Sequence, residues 1–329
     1  MRFGITLYSL TLEYRAGKYT LEEMLRRAGE LGVGPGLEIV GFQSIRTFPE
    51  VPDRFATRFR RLLDDAGLRP SCLSANVDTA RRRDRHMTDD ETVEYLAAQL
   101  EAAVKLGFPV MRIQFGARPG AIRAIAPIAE RAKVKLGMEI HAPHSVDHPT
   151  VLALRELYEE IDSPFLGFIP DFGASASSIP AGAIRQQRQL GTGEDIIKLV
   201  TDTWASAHRG NVDAFTARRE LLAEVQARHG GPEAVGFAWR AMTLWGAQSP
   251  AKWAEIMPRV VHVHGKFFDF DEHGEEPSIP YAELMDVFRR AGYDGSISSE
   301  WEGSPWAPEP DGFMMVKSHQ AMMRRHLES

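Results

Sequence analysis

The feature that most constrains the fold of this chain is a repeated pattern, in which a short apolar segment is followed by a longer amphipathic one. The apolar segments are rich in Val, Ile or Phe and are bounded by Gly or Pro, which predicts β-strands. Eight such segments lie at residues 2–8, 36–42, 70–75, 110–115, 136–141, 166–172, 260–267 and 296–300. Strands that alternate with helices favour a parallel sheet covered on both faces, and eight strands can close a barrel. We therefore expect an α/β fold, a (β/α)8 TIM barrel in which residues 1–329 form one domain.

Two further sequence patterns concern the helices and the alternative topology. Thr88 with Glu91 predicts a capping box at the start of one helix, and Gly107 predicts a left-handed stop at its end. A doubly wound open sheet would usually have a Gly-rich phosphate turn after its first strand, and the sequence there, YSLT at 8–11, is not such a turn. The pattern therefore favours the barrel.

One interval interrupts the strand–helix rhythm. Residues 174–258 contain no clear strand but show helical patterns at 194–207, 212–228 and 232–244. We interpret this interval as a helical insertion between strands six and seven. Insertions in barrels commonly lie on the loop side, where active sites form, so this one either shapes the pocket or a partner surface, or only covers the outer wall.

Composition excludes several classes of protein. The chain has 43% hydrophobic residues and a formal net charge of −6, which gives it a sizeable core and no electrostatic reason to bind nucleic acid. Its single cysteine, Cys72, lies in an apolar run and cannot form an internal disulfide, which suits a reducing compartment. No apolar segment approaches the length of a signal peptide core or a membrane span. We expect a cytoplasmic protein that does not bind membranes.

Ionisable residues mark the ends of the last four predicted strands. Tyr8, Gln43, Asn76 and Gln114 end the first four strands, and these residues are neutral. The last four deliver Glu139, Asp171, His264 and Glu300. A charge inside a barrel strand is costly unless it is paired or binds a metal, and the C-terminal ends of barrel strands converge. These four residues are therefore predicted to hold one divalent metal ion, and the oxygen-rich set suits Mn²⁺ or Mg²⁺ better than a structural zinc.

Strand parity selects between neighbouring candidates for the metal. His262 and His264 point to the same face, and His264 lies nearer the mouth, so His262 is expected one layer deeper. Glu300 and Glu302 also share a face. Glu300 directly follows a run of small and apolar residues, whereas Glu302 precedes Gly303, so Glu300 is preferred and Glu302 remains a competitor.

Four segments carry a resemblance to a known superfamily, and they read MEIH at 138–141, FIPDFG at 168–173, VHVHGKFF at 261–268 and SISSEWEG at 296–303. They resemble the xylose-isomerase-like sugar isomerases, epimerases and dehydratases. The sequence EIHAPH, with His141 and His144, and the helical interval before the seventh strand are similar to the catalytic large subunit of bacterial C-glycoside deglycosidases. That resemblance implies a lyase that cleaves the C–C bond between a 3-oxo-sugar and an aromatic aglycone, together with a small β-rich partner subunit in a hetero-oligomer. It also implies that Glu139, Asp171 and the other two predicted ligands hold the metal.

The remaining candidates are residues expected to act on the substrate. The resemblance gives His144 the acid/base role, because a 3-oxo group acidifies the C2 proton and an imidazole can remove it near neutral pH. His141 is a candidate for binding the sugar or steadying the oxygen at the metal. The candidates for substrate binding are Arg112, Gln114, Lys266 and Trp301, with Trp306 as a further aromatic beside the last ligand. A salt bridge at the barrel mouth is the alternative for Lys266, and buried packing is the alternative for Trp301.

Three other functions are weighed against the deglycosidase. A keto-sugar isomerase or epimerase, or an inosose-type dehydratase, would use Glu139 and Glu300 for proton transfer and leave His144 idle. A DNA-repair endonuclease would need three zinc ions and a basic groove, which this acidic chain lacks. A scaffold with no activity would keep a cluster of carboxylates that repel one another without a cation.

Overall fold

A computed structural model describes residues 1–78, 81–207, 214–307 and 311–328 of the chain. Its parallel sheet has eight strands in the order β6-β5-β4-β3-β2-β1-β8-β7. The strands are β1 (Arg2–Thr6), β2 (Gly36–Val40), β3 (Arg69–Ser74), β4 (Val110–Ile113), β5 (Lys135–Ile140), β6 (Leu166–Pro170), β7 (Val263–Phe267) and β8 (Ser296–Trp301). Isolated parallel bridges from Phe168 to Val260 and from Asp171 to His264 connect the two ends of the sheet. The predicted TIM barrel is confirmed.

Helices alternate with the strands along the chain. They are α1 (Thr11–Arg15), α2 (Leu21–Leu31), α3 (Gly41–Ser44), α4 (Asp53–Ala66), α5 (Asp89–Leu106), α6 (Pro119–Ala132), α7 (Pro149–Ile161), α8 (Ala181–Gln189), α9 (Glu194–Ser206), α10 (Ala214–Ala227), α11 (Pro232–Leu244), α12 (Tyr281–Arg290) and α13 (Gly312–Glu328). Short 3-10 helices span Leu7–Leu10, Phe172–Ser175, Pro250–Arg259 and Ser304–Trp306. Within the described ranges, none of the helices combines the length and hydropathy needed to cross a bilayer.

The predicted helix signals at α5 are confirmed. The Thr88 side chain accepts a hydrogen bond from the Glu91 backbone N–H at 3.2 Å, and the Glu91 carboxylate accepts one from the Thr88 N–H at 2.9 Å. Gly107 ends the helix with φ +84°, a left-handed conformation that costs glycine little.

Several strands end earlier than the sequence predicts. Tyr8 lies in a 3-10 helix whose first turn is capped by the Thr6 side chain, and Gln43 lies in α3. The chain thus turns away from the sheet just before these residues, because side-chain caps and short helices satisfy the backbone there. At β7 only Val263–Phe267 forms a ladder, and Val260 keeps a single bridge.

Helices α8 to α11 and the 3-10 helix Pro250–Arg259 occupy the interval between β6 and β7. The predicted helix 212–228 starts within residues 208–213, which lie outside the described residues, and α10 covers its remainder to Ala227. Trp204, Phe237, Trp245 and Trp253 from this interval are buried in the same hydrophobic core as the barrel strands. The interpretation of 174–258 as an insertion stays a prediction.

Candidate metal centre

The four predicted metal ligands lie together at the C-terminal mouth of the barrel. Glu139 lies near the end of β5, Asp171 follows β6, His264 lies in β7 and Glu300 in β8, and all four are buried. One ligand atom from each lies within 4.8 Å of the others. His264 Nδ1 is 2.6 Å from Glu139 Oε1 and 3.7 Å from Glu300 Oε2. Four acidic or imidazole groups from four strands therefore surround one point, as the barrel geometry requires.

The backbone fixes Asp171 so that one oxygen faces the cluster. Its N–H donates to the Ile140 carbonyl at 3.1 Å, which ties the end of β6 to β5. Its Oδ1 accepts from the Gly173 N–H at 2.7 Å. Oδ2 is then directed towards Lys266 Nζ at 2.7 Å, inside the cluster.

Lys266 supplies the positive charge next to these carboxylates. Its Nζ also lies 3.5 Å from Glu300 Oε2 and 3.3 Å from Glu302 Oε2, and the side chain is buried. This arrangement matches the salt-bridge alternative for Lys266, and a contact with substrate stays a prediction. A single ammonium faces three carboxylates here, so its charge does not balance theirs.

The cluster has the electrostatics of a cation site. Burial raises the pKa of Glu300 to about 8, although Lys266 and His264 act in the opposite direction. A carboxylate in such a place gains from a further positive charge. Three carboxylates and one imidazole also form a donor set that suits a divalent ion such as Mn²⁺ or Mg²⁺. The buried acidic and histidine groups thus fit a metal ion.

Glu302 lies at the edge of the cluster. Its carboxylate, together with burial and Glu300, raises the pKa of Tyr8, so Glu302 lies next to the Tyr8 phenol. The group of residues whose ligand atoms converge within 4.8 Å contains Glu300 and does not contain Glu302. The geometry therefore favours Glu300 over its competitor.

Glu38, in β2, is a buried carboxylate below the cluster that the sequence analysis did not select. Its Oε1 is 3.0 Å from His264 Nε2, and its Oε2 is 3.1 Å from His262 Nε2. His262 lies below His264, with Nε2 also 2.9 Å from Ser298 Oγ. The sequence signal for Glu38 is a glutamate in the middle of the apolar segment GLEIV at 36–40, whereas the predicted ligands come from the last four strands.

Arg112 and Gln114 both contact Glu139 from β4 and the residues after it. Gln114 Nε2 donates to Glu139 Oε2 at 3.3 Å. Arg112 Nε lies 3.7 Å from the same oxygen and donates to Ser74 Oγ at 3.0 Å. Both side chains therefore orient the Glu139 carboxylate, and their role in substrate binding stays a prediction.

His144 lies in the loop after β5, within a group of aromatic rings. Its imidazole stacks on Phe115 with ring centroids 4.1 Å apart, and His148 and Phe215 meet it edge-on at 4.6 Å and 5.7 Å. Burial, with His148 and His141 close by, lowers the pKa of His144 to about 4. Its Nδ1 is buried and hydrogen-bonds to none of the described residues. Near neutral pH His144 is therefore an uncharged imidazole.

The remaining predicted residues are His141, Trp301 and Trp306. His141 is half-buried, and its Nδ1 contacts the carbonyl oxygen of Ala142. Trp301 is 2% exposed, and its indole N–H donates to the Phe268 carbonyl at 3.0 Å. Trp306 packs against Trp245, with ring centroids 6.2 Å apart. The substrate-binding role of Trp301 stays a prediction, as does the role of His141.

Comparisons with known proteins show what this chain is similar to. A family model described as Xylose isomerase-like TIM barrel matches residues 25–325. The chain is 44% identical over 329 residues to the 3'-dehydrocarminate deglycosidase alpha subunit of a Microbacterium sp, covering 98% of this chain and 94% of that one. It is 41% identical over 327 residues to a C-glycoside deglycosidase alpha subunit of Arthrobacter globiformis, covering 98% and 89%. The solved structure of L-ribulose 3-epimerase matches with a TM-score of 0.59 and 14% identity, covering 99% of this chain and 94% of that chain, which shows the shared fold alone.

Proposed function

This chain belongs to the xylose isomerase-like TIM barrel family and, within it, to the C-glycoside deglycosidase alpha subunits, and we propose that it is the catalytic subunit of a metal-dependent C-glycoside deglycosidase. Its reaction would be a carbon–carbon lyase reaction on a 3-oxo-C-glycoside. The observation that carries this proposal is His144, an uncharged and partly buried imidazole in the loop that follows the proposed ligand Glu139. The deglycosidase names of relatives at 41–44% identity support the same activity.

The proposed metal site consists of Glu139, Asp171, His264 and Glu300. Their donor set favours Mn²⁺, with Mg²⁺ as the next choice. When bound, the ion would supply Lewis acidity at the 3-oxo group of the sugar, which makes the neighbouring C2 proton more acidic. The chain's own part is to hold these side chains in place, which Gln114 and Arg112 do for Glu139.

The proton transfers are assigned to His144. Its neutral imidazole would take the C2 proton, and the electron pair of the C2–H bond would form the C1–C2 double bond as the bond from C1 to the aglycone carbon breaks. The aglycone leaves with the electron pair of that bond and takes up one proton, which the imidazolium of His144 can return. One proton is removed and one is added, so the elimination needs neither an oxidant nor a reductant.

The rings around His144 support an aromatic leaving group. Phe115 stacks on the imidazole, and Phe215 lies 5.7 Å from it and is 37% exposed. A flat aglycone packs well against aromatic side chains. We propose that these rings flank the aglycone while His144 faces C2 of the sugar.

A sugar isomerase or epimerase is the second candidate. In that reaction Glu139 and Glu300 would exchange protons with the substrate. The observation in its favour is the raised pKa of Glu300, about 8, which lets this carboxyl carry a proton near neutral pH. In that case His144 would have no part in catalysis.

The experiment that separates the two functions compares the unmodified chain with His144→Ala on two substrates, a 3-oxo-C-glucoside and a free keto-sugar. The name "alpha subunit" of the relatives implies a partner, so the chain is produced with and without a candidate small β-rich subunit, as the proposed hetero-oligomer. With Mn²⁺ and a 3-oxo-C-glucoside, the deglycosidase releases free aglycone, and His144→Ala lowers the rate by about 100-fold or more. Full activity of His144→Ala, or epimerisation of a free keto-sugar without aglycone release, contradicts the proposal.

A cytoplasmic location also stays a prediction.

A further inference from the structure

We propose that Glu38 is a positioning residue, which fixes the nitrogen of His264 that faces the metal site. The inference rests on the proposed metal centre. Glu38 is 1% exposed in the middle of β2, where an ionised carboxylate is costly unless it is well hydrogen-bonded. The contacts of its carboxylate with His262 and His264 are therefore a feature that the fold must stabilise.

The ring of His264 is held at both of its nitrogens. Nε2 lies 3.0 Å from Glu38 Oε1, and Nδ1 lies 2.6 Å from Glu139 Oε1 in the proposed metal site. A neutral imidazole carries its proton on one nitrogen and a lone pair on the other. With the Nε2 proton donated to Glu38, the lone pair stays on Nδ1, where a metal ion would bind it. A carboxylate behind a metal-binding histidine fixes its tautomer and ring orientation in this way.

Further hydrogen bonds hold Glu38 itself in place. Ser74 Oγ donates to its Oε1 at 2.5 Å, and His262 Nε2 lies 3.1 Å from its Oε2. Arg112 Nε donates to Ser74 Oγ at 3.0 Å and lies 3.7 Å from Glu139 Oε2. The same network therefore touches two of the proposed ligands, Glu139 directly and His264 through Glu38.

A second metal ion is the competing explanation for Glu38. Its carboxylate, Cys72 and His262 have ligand atoms close enough to share an ion. However, His262 Nε2 is already within hydrogen-bond distance of Glu38 Oε2 and Ser298 Oγ. Burial raises the pKa of the Cys72 thiol well above its usual range, which disfavours the thiolate that a metal requires. The contacts therefore favour a hydrogen-bonded support over a second ion.

The test measures binding of Mn²⁺ alone to EDTA-treated protein by titration calorimetry. Glu38→Gln keeps the shape of the side chain and removes its charge and one acceptor oxygen. We expect its Kd for Mn²⁺ to rise by about 10- to 100-fold, the usual effect of losing such a partner of a metal ligand. The matched control is Glu13→Gln, because Glu13 is also buried and accepts a hydrogen bond from the Gly312 N–H at 2.7 Å, outside this network. Its Kd should stay within about twofold of that of the unmodified chain.

The outcomes separate support of the metal site from general stability. A merely structural role would lower Tm in both variants and leave both Mn²⁺ affinities unchanged, and that result would overturn the inference. So would two Mn²⁺ ions per chain in the unmodified protein. If Glu38→Gln does not fold, Ser74→Ala removes one hydrogen bond to Glu38 and should still weaken Mn²⁺ binding by a few fold. The calorimetry is done without substrate. If the chain binds Mn²⁺ but releases no aglycone in the activity assay, the proposed function is contradicted and the inference about Glu38 still holds.

Discussion

Replacing Lys266 with methionine removes the positive charge from the carboxylate cluster while keeping most of the side-chain volume. Lys266 Nζ lies 2.7 Å from Asp171 Oδ2, 3.3 Å from Glu302 Oε2 and 3.5 Å from Glu300 Oε2, and its side chain is only 6% exposed. The Lys266→Met variant therefore leaves several buried carboxylates without their ammonium partner. We expect it to be markedly less stable in the absence of metal.

The size of the effect follows from the burial of these groups. Removing one partner of a buried ion pair costs about 3–5 kcal/mol. With an unfolding entropy of about 2.1 cal/mol/K per residue, a chain of 329 residues loses roughly 1.4 °C of Tm per kcal/mol, so Tm should fall by about 4–7 °C. Saturating Mn²⁺ restores positive charge to the same carboxylates. It should therefore raise the Tm of Lys266→Met more than the Tm of the unmodified chain.

The assay is thermal unfolding, followed by circular dichroism, of EDTA-treated protein with and without Mn²⁺. The control is Lys198→Met, because Lys198 is 75% exposed and pairs only across the surface with Asp202 at 2.7 Å. Exposed pairs contribute about 0–1 kcal/mol, so its Tm should change by about 1 °C or less. The reasoning is refuted if Lys266→Met is as mild as Lys198→Met, or if Mn²⁺ stabilises Lys266→Met no more than it stabilises the unmodified chain.

The other predictions concern the rings beside the metal site. Because the pKa of His144 is about 4, kcat/KM for aglycone release should stay level from pH 8 down to about 5 and fall towards pH 4 as the base is protonated. A pH profile whose acid limb lies near pH 6.5 contradicts this prediction. Because the unfolded chain binds that proton near the usual pKa of 6.5, the free energy of unfolding should decrease as pH falls from 6.5 towards 4. His144→Gln should therefore make the Tm measured in thermal melts less sensitive to acid across that pH range. Phe215→Ala should raise KM for an aromatic C-glycoside by about 2- to 10-fold through loss of a ring contact, whereas Phe42→Ala, also an exposed ring, should leave KM unchanged. Equal KM values for the two variants in steady-state kinetics would remove Phe215 from the proposed aglycone site.

The barrel and the cluster at its mouth could be predicted from the sequence because both depend on strand periodicity. The strand pattern predicted that Glu139, Asp171, His264 and Glu300 come from four consecutive strands, and consecutive strands of a closed barrel bring such residues together at its mouth. Strand parity predicted that His262 lies one layer deeper than His264. In the structure its Nε2 lies within hydrogen-bond distance of Glu38 and Ser298.

Contacts between distant parts of the chain could not be predicted in the same way. The pairing of Lys266 with Asp171 depends on the isolated bridge from Asp171 to His264, which no local pattern reveals. The contact of Phe215 with His144 brings α10 onto the loop after β5, and only the tertiary fold creates it. The role of Glu38 could not be predicted because it depends on a contact with another strand, here with His264 on β7.

The central claim is that Glu139, Asp171, His264 and Glu300 hold one divalent ion on which cleavage depends. The most direct measurement titrates Mn²⁺ into EDTA-treated protein, produced with the proposed partner subunit, while aglycone release from a 3-oxo-C-glucoside is recorded. Release should be negligible without metal and should rise until it saturates at one Mn²⁺ per chain. Full release from metal-free protein, or saturation only at two or more ions per chain, would contradict it.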